Sequence, residues 1–444
     1  MNPPPQTVSR LEAAGVWLRI GLLSFGGPAG QMILMHKEIV EKRRWVDEDR
    51  YLHALNYCVL LPGPEAQQLA TYLGWLLHGV GGGLVAGVLF VLPGALLMLV
   101  LSALYATLHD ASVVVGLFFG VKAAVLAIVT QALIRVGKRA LKGPYSLVIA
   151  ASSLLGLALF ALPFPAVVFG SGVVGACVAR WRPAWLGPQA VPLSPGPVLA
   201  HTLASPRRFV VTLLVGLALW AAPVLLALLL LGAGNVLVVE GVFFSQAAVL
   251  TFGGAYAVLA YVGQRAVGDF GWLQPHEMLD GIALAETTPG PLILVLELVA
   301  FLAAFRHLDI AGVPPLVAGT LGAAMMLWTT FVPSMMWVFL GAPFVERLRG
   351  VRVLHGALGS ITAAVVGVIA NLSLWLAVHA LFHDVFEFRI GWARLLVPVW
   401  HSVDVPLLLL TVLAFGLVFP ARQGPGRTLI VVSTLGCAFT LLRG

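Results

Sequence analysis

Three sets of residues in this chain could do chemistry. The first are helix breakers set between apolar segments: Ser24-Phe25-Gly26-Gly27-Pro28, Pro62-Gly63-Pro64, Thr251-Phe252-Gly253-Gly254 and Pro289-Gly290-Pro291. A helix that stops and restarts leaves N–H groups without intrahelical partners and presents a positive dipole end. Such an end binds an oxyanion without needing a buried cation. Four starts brought together suit a small tetrahedral dianion. Glycine and proline also simply kink apolar helices; four breaks at matched positions weigh against that alone.

The second set lies beside the breaks. Gln31 follows the first one. Glu65, Gln67, Gln68 and Thr71 follow Pro62-Gly63-Pro64; Glu286, Thr287 and Thr288 precede Pro289-Gly290-Pro291, and Glu297 follows it. The third set is Arg19 and Lys122, cations inside otherwise apolar segments. Charge at membrane depth is costly, so each is a functional candidate. Arg19 or Lys122 would neutralise an anion; Glu65 or Glu286 would carry a proton. Plainer roles stand beside these. Arg19 can snorkel to the interface, Lys122 can pair within the bundle, and Glu65 can cap its helix, the simpler reading for that residue. Asn371 fits an interhelical hydrogen bond.

Nothing points to an enzyme, a metal or a cofactor. The chain has no Gly-rich loop with a Walker lysine, so ATP drive is not expected. His36, His53, His78 and His109 form no metal-binding spacing, and Cys58, Cys177 and Cys437 sit apart in apolar runs. A membrane enzyme acting on lipid intermediates would want paired carboxylates or an Asp-rich surface. Asp47, Glu48 and Asp49 read instead as a solvated loop. A scaffold would not explain polar groups at the breaks.

The elements that must position these residues are membrane helices. Sixty per cent of the residues are hydrophobic and 10% charged, against roughly a quarter charged in soluble domains. Apolar runs such as 209–231 and 351–380 exceed the roughly 18 residues needed to span a bilayer. The expected fold is an all-α polytopic membrane protein. The net charge of +7 fits cytoplasmic loops facing anionic lipid and not nucleic acid. The N-terminal Met1-Asn2-Pro3-Pro4-Pro5 lacks the pattern of a cleaved signal peptide.

The chain is also duplicated. Phe25 recurs as Phe252 (252 − 25 = 227), and the same offset carries Trp45 onto Trp272 and Gly63 onto Gly290. Later the offset becomes 240, with Pro93 on Pro333 (333 − 93 = 240), a net insertion placed near 306–315. The expected order in the first half is helices at 10–25, from about Pro28 to the charged loop 41–50, at 51–61 and at 65–77. Spans follow at 80–108, 112–136, 144–161 and 163–180. A proline-rich linker (181–207) and an extra span (209–231) lead to broken segments at 235–267 and 276–305. Spans at 314–342, 352–380, 403–420 and 427–442 complete the chain. As domains these are a repeat at 1–180, a linker at 181–208, and a second repeat with its preceding span at 209–444.

Charge sets the expected orientation. Arg135, Lys138, Arg139 and Lys142 close one span, while its partner near 375–382 has no Lys or Arg. Arg347, Arg349 and Arg352 close another whose partner ends in His109-Asp110. The positive-inside rule then puts equivalent ends on opposite sides, with the N-terminus cytoplasmic. Inverted repeats with broken helices are a secondary-transporter signature. Lys42, Arg43, Arg44 and Arg50 favour re-entrant over fully crossing broken segments.

On Phe25-Gly26-Gly27-Pro28, the loop Trp45, Pro62-Gly63-Pro64-Glu65 with Gln67-Gln68, and their second-half echoes, nearly the whole chain resembles the long-chain, two-domain chromate ion transporters. The resemblance implies a bacterial inner-membrane protein that exports chromate and confers chromate resistance. It implies sulfate as a related or competing anion, and drive by the membrane potential or a proton gradient. A transporter of sulfate or another small anion is the alternative. A homodimer is left open. The second half departs from the pattern: Ala255 stands in place of the proline, and Leu292 where the first half has Glu65.

Overall fold

The computed structural model describes residues 8–25, 27–108, 112–186, 205–252, 255–344, 351–391, 393–421 and 423–443. Residues 1–7 of the disordered lead expected at 1–9, most of the linker, and the orienting residues His109, Asp110, Arg347 and Arg349 lie outside them.

Helices dominate. α1 (Arg10–Leu22) and α2 (Gly27–His36) flank the first break. α2 runs into a π-helical turn, Lys37–Lys42. α3 (Glu48–Cys58) starts from Asp47, whose side chain accepts from the Arg50 N–H. α4 (Glu65–Leu108) is interrupted at His78 and at Gly79, where φ is +65°, so the expected helix to 77 and span from 80 are both present. α5 (Ser112–Ala140), α6 (Pro144–Ala158), α7 (Phe164–Trp181) and α8 (Pro206–Leu231) follow. The second set of broken segments gives α9 (Val236–Leu250), α10 (Ala255–Gln264) with a π turn at Arg265–Asp269, α11 (Pro275–Thr287) and α12 (Val295–His307). α13 (Pro315–Gly341), α14 (Arg352–Leu381), α15 (Val405–Val418) and α16 (Pro425–Arg443) complete the helices named here. Seven of the described helices are long and apolar enough to cross a membrane. The chain is a polytopic, helical membrane protein.

One element departs from the all-helical expectation. β1 (Val385–Ile390) and β2 (Ala393–Pro398) form an antiparallel hairpin. Its cause is local. Val-Phe-Glu-Phe-Arg-Ile alternates with period two, and Gly391 takes φ +57° in the turn.

Local geometry recurs at the 227-residue offset. Trp45 N donates to Ile39 O at 2.9 Å, and Trp272 N to Ala266 O at 2.8 Å. The residue before each tryptophan has positive φ: Arg44 at 52° and Gly271 at 62°. Each π turn carries an i,i+4 ion pair, but with signs exchanged: Lys42 on Glu38, and Arg265 on Asp269, both at 2.6 Å. Arg43 also reaches Glu38. The Lys42 hydrogen bond first, then Arg43, hold the Glu38 carboxyl below its ordinary range despite its burial.

The chain forms two compact units, each drawn from both halves of the sequence. Unit 1 holds 1–102, 190–255 and 288–350; unit 2 holds 103–189, 256–287 and 351–444. Within unit 1, α9 packs on α8, α12 and α13, and Leu69, Phe90, Met98, Phe244 and Phe301 are fully buried. Within unit 2, α14 packs on α5, α6 and α7, while α15 and α16 pack on α5. Small residues allow the close crossings: Gly175 against the Gly356 carbonyl, and Gly436 against Gly120 and Gly116.

Candidate functional site

All four breaks fall in unit 1, and their described residues are bonded crosswise. Gly290 N donates to Ser24 O at 3.0 Å, and Gly63 N donates to Thr251 O at 2.7 Å. Positions 24 and 251 are 227 apart, as are 63 and 290, so the second bond is the first with the halves exchanged. The carbonyls at the ends of α1 and α9, which no helix can satisfy, are thereby paired. Ser24 Oγ and Thr251 Oγ1 turn back to Ile20 O and Ala247 O at 2.6 and 2.7 Å. Phe25 N and Phe252 N bond Leu23 O and Leu250 O, both at 2.9 Å.

The two glycines are required by shape. Gly63 has φ +128° and Gly290 φ +104°, backbone that side-chain-bearing residues rarely adopt. A Cβ at 63 would stand 2.7 Å from Gln68 Nε2 and 2.8 Å from Ser334 Oγ; at 290 it would stand 3.3 Å from the Gly94 Cα. Ser334 and Gly94 are themselves 240 apart and follow Pro333 and Pro93.

Glutamines fill the space beside the breaks. Gln31 Nε2 donates to Gly290 O at 2.5 Å and to Ser24 O at 3.2 Å. Gln68 Nε2 donates to Pro62 O at 2.7 Å. Two carbonyl partners fix the Gln31 amide with its nitrogen toward them. Gln31 Oε1 and Gln68 Oε1 are then buried acceptors with no partner among the described residues. Gln67 accepts from Ser334 Oγ at 2.7 Å and donates to Thr71 Oγ1 at 3.0 Å. The resulting site is polar in its side chains, with Glu65 as its acid, and has helix starts at Gly27, Glu65 and Leu292. The dipoles of those helix starts can act on a negatively charged group.

The residues expected at the site divide as follows. Gln31, Gly63, Pro64, Gln67, Gln68, Thr288, Pro289, Gly290 and Pro291 are buried in unit 1, and Gly27, Pro28, Pro62, Glu65 and Phe252 are half-buried there. Phe25 and Arg19 are exposed in unit 1. Gly26, Gly253 and Gly254 lie outside the described residues. Lys122, Glu286 and Thr287 belong to unit 2. The Thr287 hydroxyl is returned to its own helix, at 2.9 Å from Leu284 O.

Unit 2 holds a second polar set on α11. Tyr105 Oη donates to Asp280 Oδ2 at 2.8 Å, and Lys122 is near enough to act on Asp280 electrostatically. Tyr256 Oη donates to Glu286 Oε1, and Arg135 acts on that pair. Sequence reasoning singled out Lys122 and Glu286 but missed Asp280, Tyr105, Tyr256 and Ser334. For Ser334 the signal was present, since it follows the repeated proline at the 240 offset. For the tyrosines only tertiary contact reveals the role.

Comparison with known proteins agrees across both halves. The family model described as chromate transporter matches residues 11–176 and 241–440. A chromate transport protein of Pseudomonas aeruginosa is 34% identical over 386 residues, covering 84% of this chain and 82% of that protein. A probable chromate transport protein of Synechococcus elongatus is 27% identical, covering 91% and 94%. A chromate transport protein of Cupriavidus metallidurans is 27% identical, covering 81% of each. No solved structure matches. With the family model matched in both halves and the Pseudomonas relative covered over most of its length, the chain belongs to the chromate transporter family.

Proposed function

We propose that this protein is a secondary transporter that moves chromate outward across the bacterial inner membrane and thereby confers chromate resistance. In this reading its halves are inverted repeats, its N-terminus is cytoplasmic, and sulfate competes for the same site. Family membership and the names of the relatives support chromate as the anion. The observation that carries the mechanism is the reciprocal pair of bonds, Gly290 N to Ser24 O and Gly63 N to Thr251 O. It is what a pseudo-two-fold axis between antiparallel repeats generates, and transporters of such design bind substrate where broken helices meet.

The helix starts after the breaks cradle the dianion with backbone N–H groups. Gln31, Gln67, Gln68 and Ser334 set the loops that present them. Arg19 adds positive charge, and rocking of the repeats alternates access. Drive comes from the membrane potential or a proton gradient.

The test is labelled chromate uptake into energised inverted vesicles, with and without excess sulfate. Energised uptake that sulfate suppresses is the expected result. Folded protein that moves no chromate would remove the substrate assignment and leave the architecture.

A further inference from the structure

Glu240 and Glu297 are acids of unit 1 that the break site does not use. Both are 0% exposed. All four of their carboxyl oxygens are buried and find no hydrogen-bond partner among the described residues. Glu240 Oε2 lies 3.0 Å from where a Cβ on Gly322 of α13 would stand, and the Ala300 carbonyl of α12 lies 2.6 Å from that same point. Glu297 sits one turn before Ala300. Positions 297, 300, 301 and 304 share one helix face, and Ala300, Phe301 and Ala304 are the α12 residues met by Gly322 and Gly319. Both acids therefore belong to the seam where α9, α12 and α13 pack.

Packing does not demand them. At the 227-residue offset their counterparts are Ala13 and Ala70, both buried. A methyl group fills the equivalent place in the first half, so the second half carries carboxyls for another reason. No cation neutralises them on the elements packed there. α13 carries no titratable group; α8 carries Arg207 and Arg208, exposed in its first turn; α12 carries Arg306 and His307, exposed in its last turn. A buried carboxylate without donor or counter-ion is not held in the charged form. The described residues also contain no group of three side chains fit to hold a metal ion. The ligand of matching chemistry is a proton.

We propose that Glu240 and Glu297 are the proton-carrying groups of this protein. Each holds a proton while the seam is closed and releases it to water when the seam opens, so that proton movement is coupled to anion movement. The coupling rests on the transport reading above. It moves the proton role away from Glu65 and Glu286, whose positions first suggested it; Glu286 is already bonded by Tyr256.

Two measurements on the reconstituted full-length protein test it. Infrared spectra at neutral pH should show the carbonyl band of a protonated carboxylic acid in the wild type, reduced in each single variant and further in the double variant E240Q/E297Q. This readout needs no transport. In liposomes loaded with a pH-sensitive dye, a chromate gradient should move protons in the wild type. E240Q and E297Q should lose that pH change while still exchanging labelled chromate at equal pH on both sides. A missing band, a band undiminished in the double variant, or chromate-driven proton movement unchanged in both single variants would overturn the proposal. A wild type with the band but without chromate flux would instead reject the transport reading and the coupling built on it, leaving a buried proton site alone.

Discussion

Among the described glycines, Gly63 and Gly290 are the ones that combine a positive φ with close neighbours. Alanine at either position meets a positive φ and occupied space at once. The strain is of order 1–3 kcal/mol, and relief would pull the N–H away from Thr251 O or Ser24 O. Gly63→Ala and Gly290→Ala are each expected to lower the melting temperature and reduce chromate flux sharply, whereas Gly416→Ala, where no atom lies within 4 Å of the added Cβ, should leave both alone. Equal flux in all three would refute the clamp.

Gln31 gives a second residue-scale prediction. Gln31→Leu removes the donor from Gly290 O and should destabilise by about 1–3 kcal/mol, the cost of a buried unpaired carbonyl. Gln31→Glu should be worse, because its carboxylate faces two carbonyl oxygens and opposes an anion. Thermal unfolding of both variants decides the order; a glutamate variant more stable than the leucine one would contradict the amide orientation.

Among the elements, the π turns show how one backbone solution is kept with exchanged charge. Lys37–Lys42 and Arg265–Asp269 both end in a left-handed residue and a tryptophan, while the acid lies first in one pair and last in the other. The backbone is therefore set by the turn and its tryptophan rather than by the ion pair. For Glu38 the folded carboxyl is held below its ordinary range. Its stabilisation is then present above the unfolded glutamate range and fades as pH falls through the folded value. Glu38→Gln should cost about 1 kcal/mol at neutral pH, because Lys42 is half exposed and its contribution is screened. The gap between wild type and variant should close in acid. A gap that stays constant down to pH values below the glutamate range would exclude this account.

For the whole molecule the open question of most consequence is inversion. Gly143 follows α5 and His383 follows α14, and the two are 240 residues apart (383 − 143 = 240); both are exposed. Inverted repeats place them on opposite faces of the membrane. In a background lacking Cys58, Cys177 and Cys437, Gly143→Cys and His383→Cys should react with an impermeant maleimide from opposite sides. Labelling from one side only would rule out the inverted arrangement.

The sequence by itself determined the class and the punctuation of this protein. Apolar runs longer than a bilayer leave no soluble alternative, and Gly-Pro breaks halt helices wherever they occur, because their effect is local. The 227 and 240 offsets were legible for the same reason, since they need only identity at a spacing. Helix limits shifted by a few residues where caps, not periodicity, set the end. The hairpin at 385–398 carried its period-two pattern in view, masked by the surrounding apolar helices. What tertiary structure alone decided is pairing. That Gly290 closes on Ser24, that Gln31 reaches a carbonyl 259 residues away, that Tyr105 and Tyr256 bond the acids of α11, and that Glu240 and Glu297 are left dry on one seam all depend on which helices meet. A hydrogen bond across hundreds of residues leaves no periodic trace, because its geometry is set by the packing of helices and not by the neighbours along the chain.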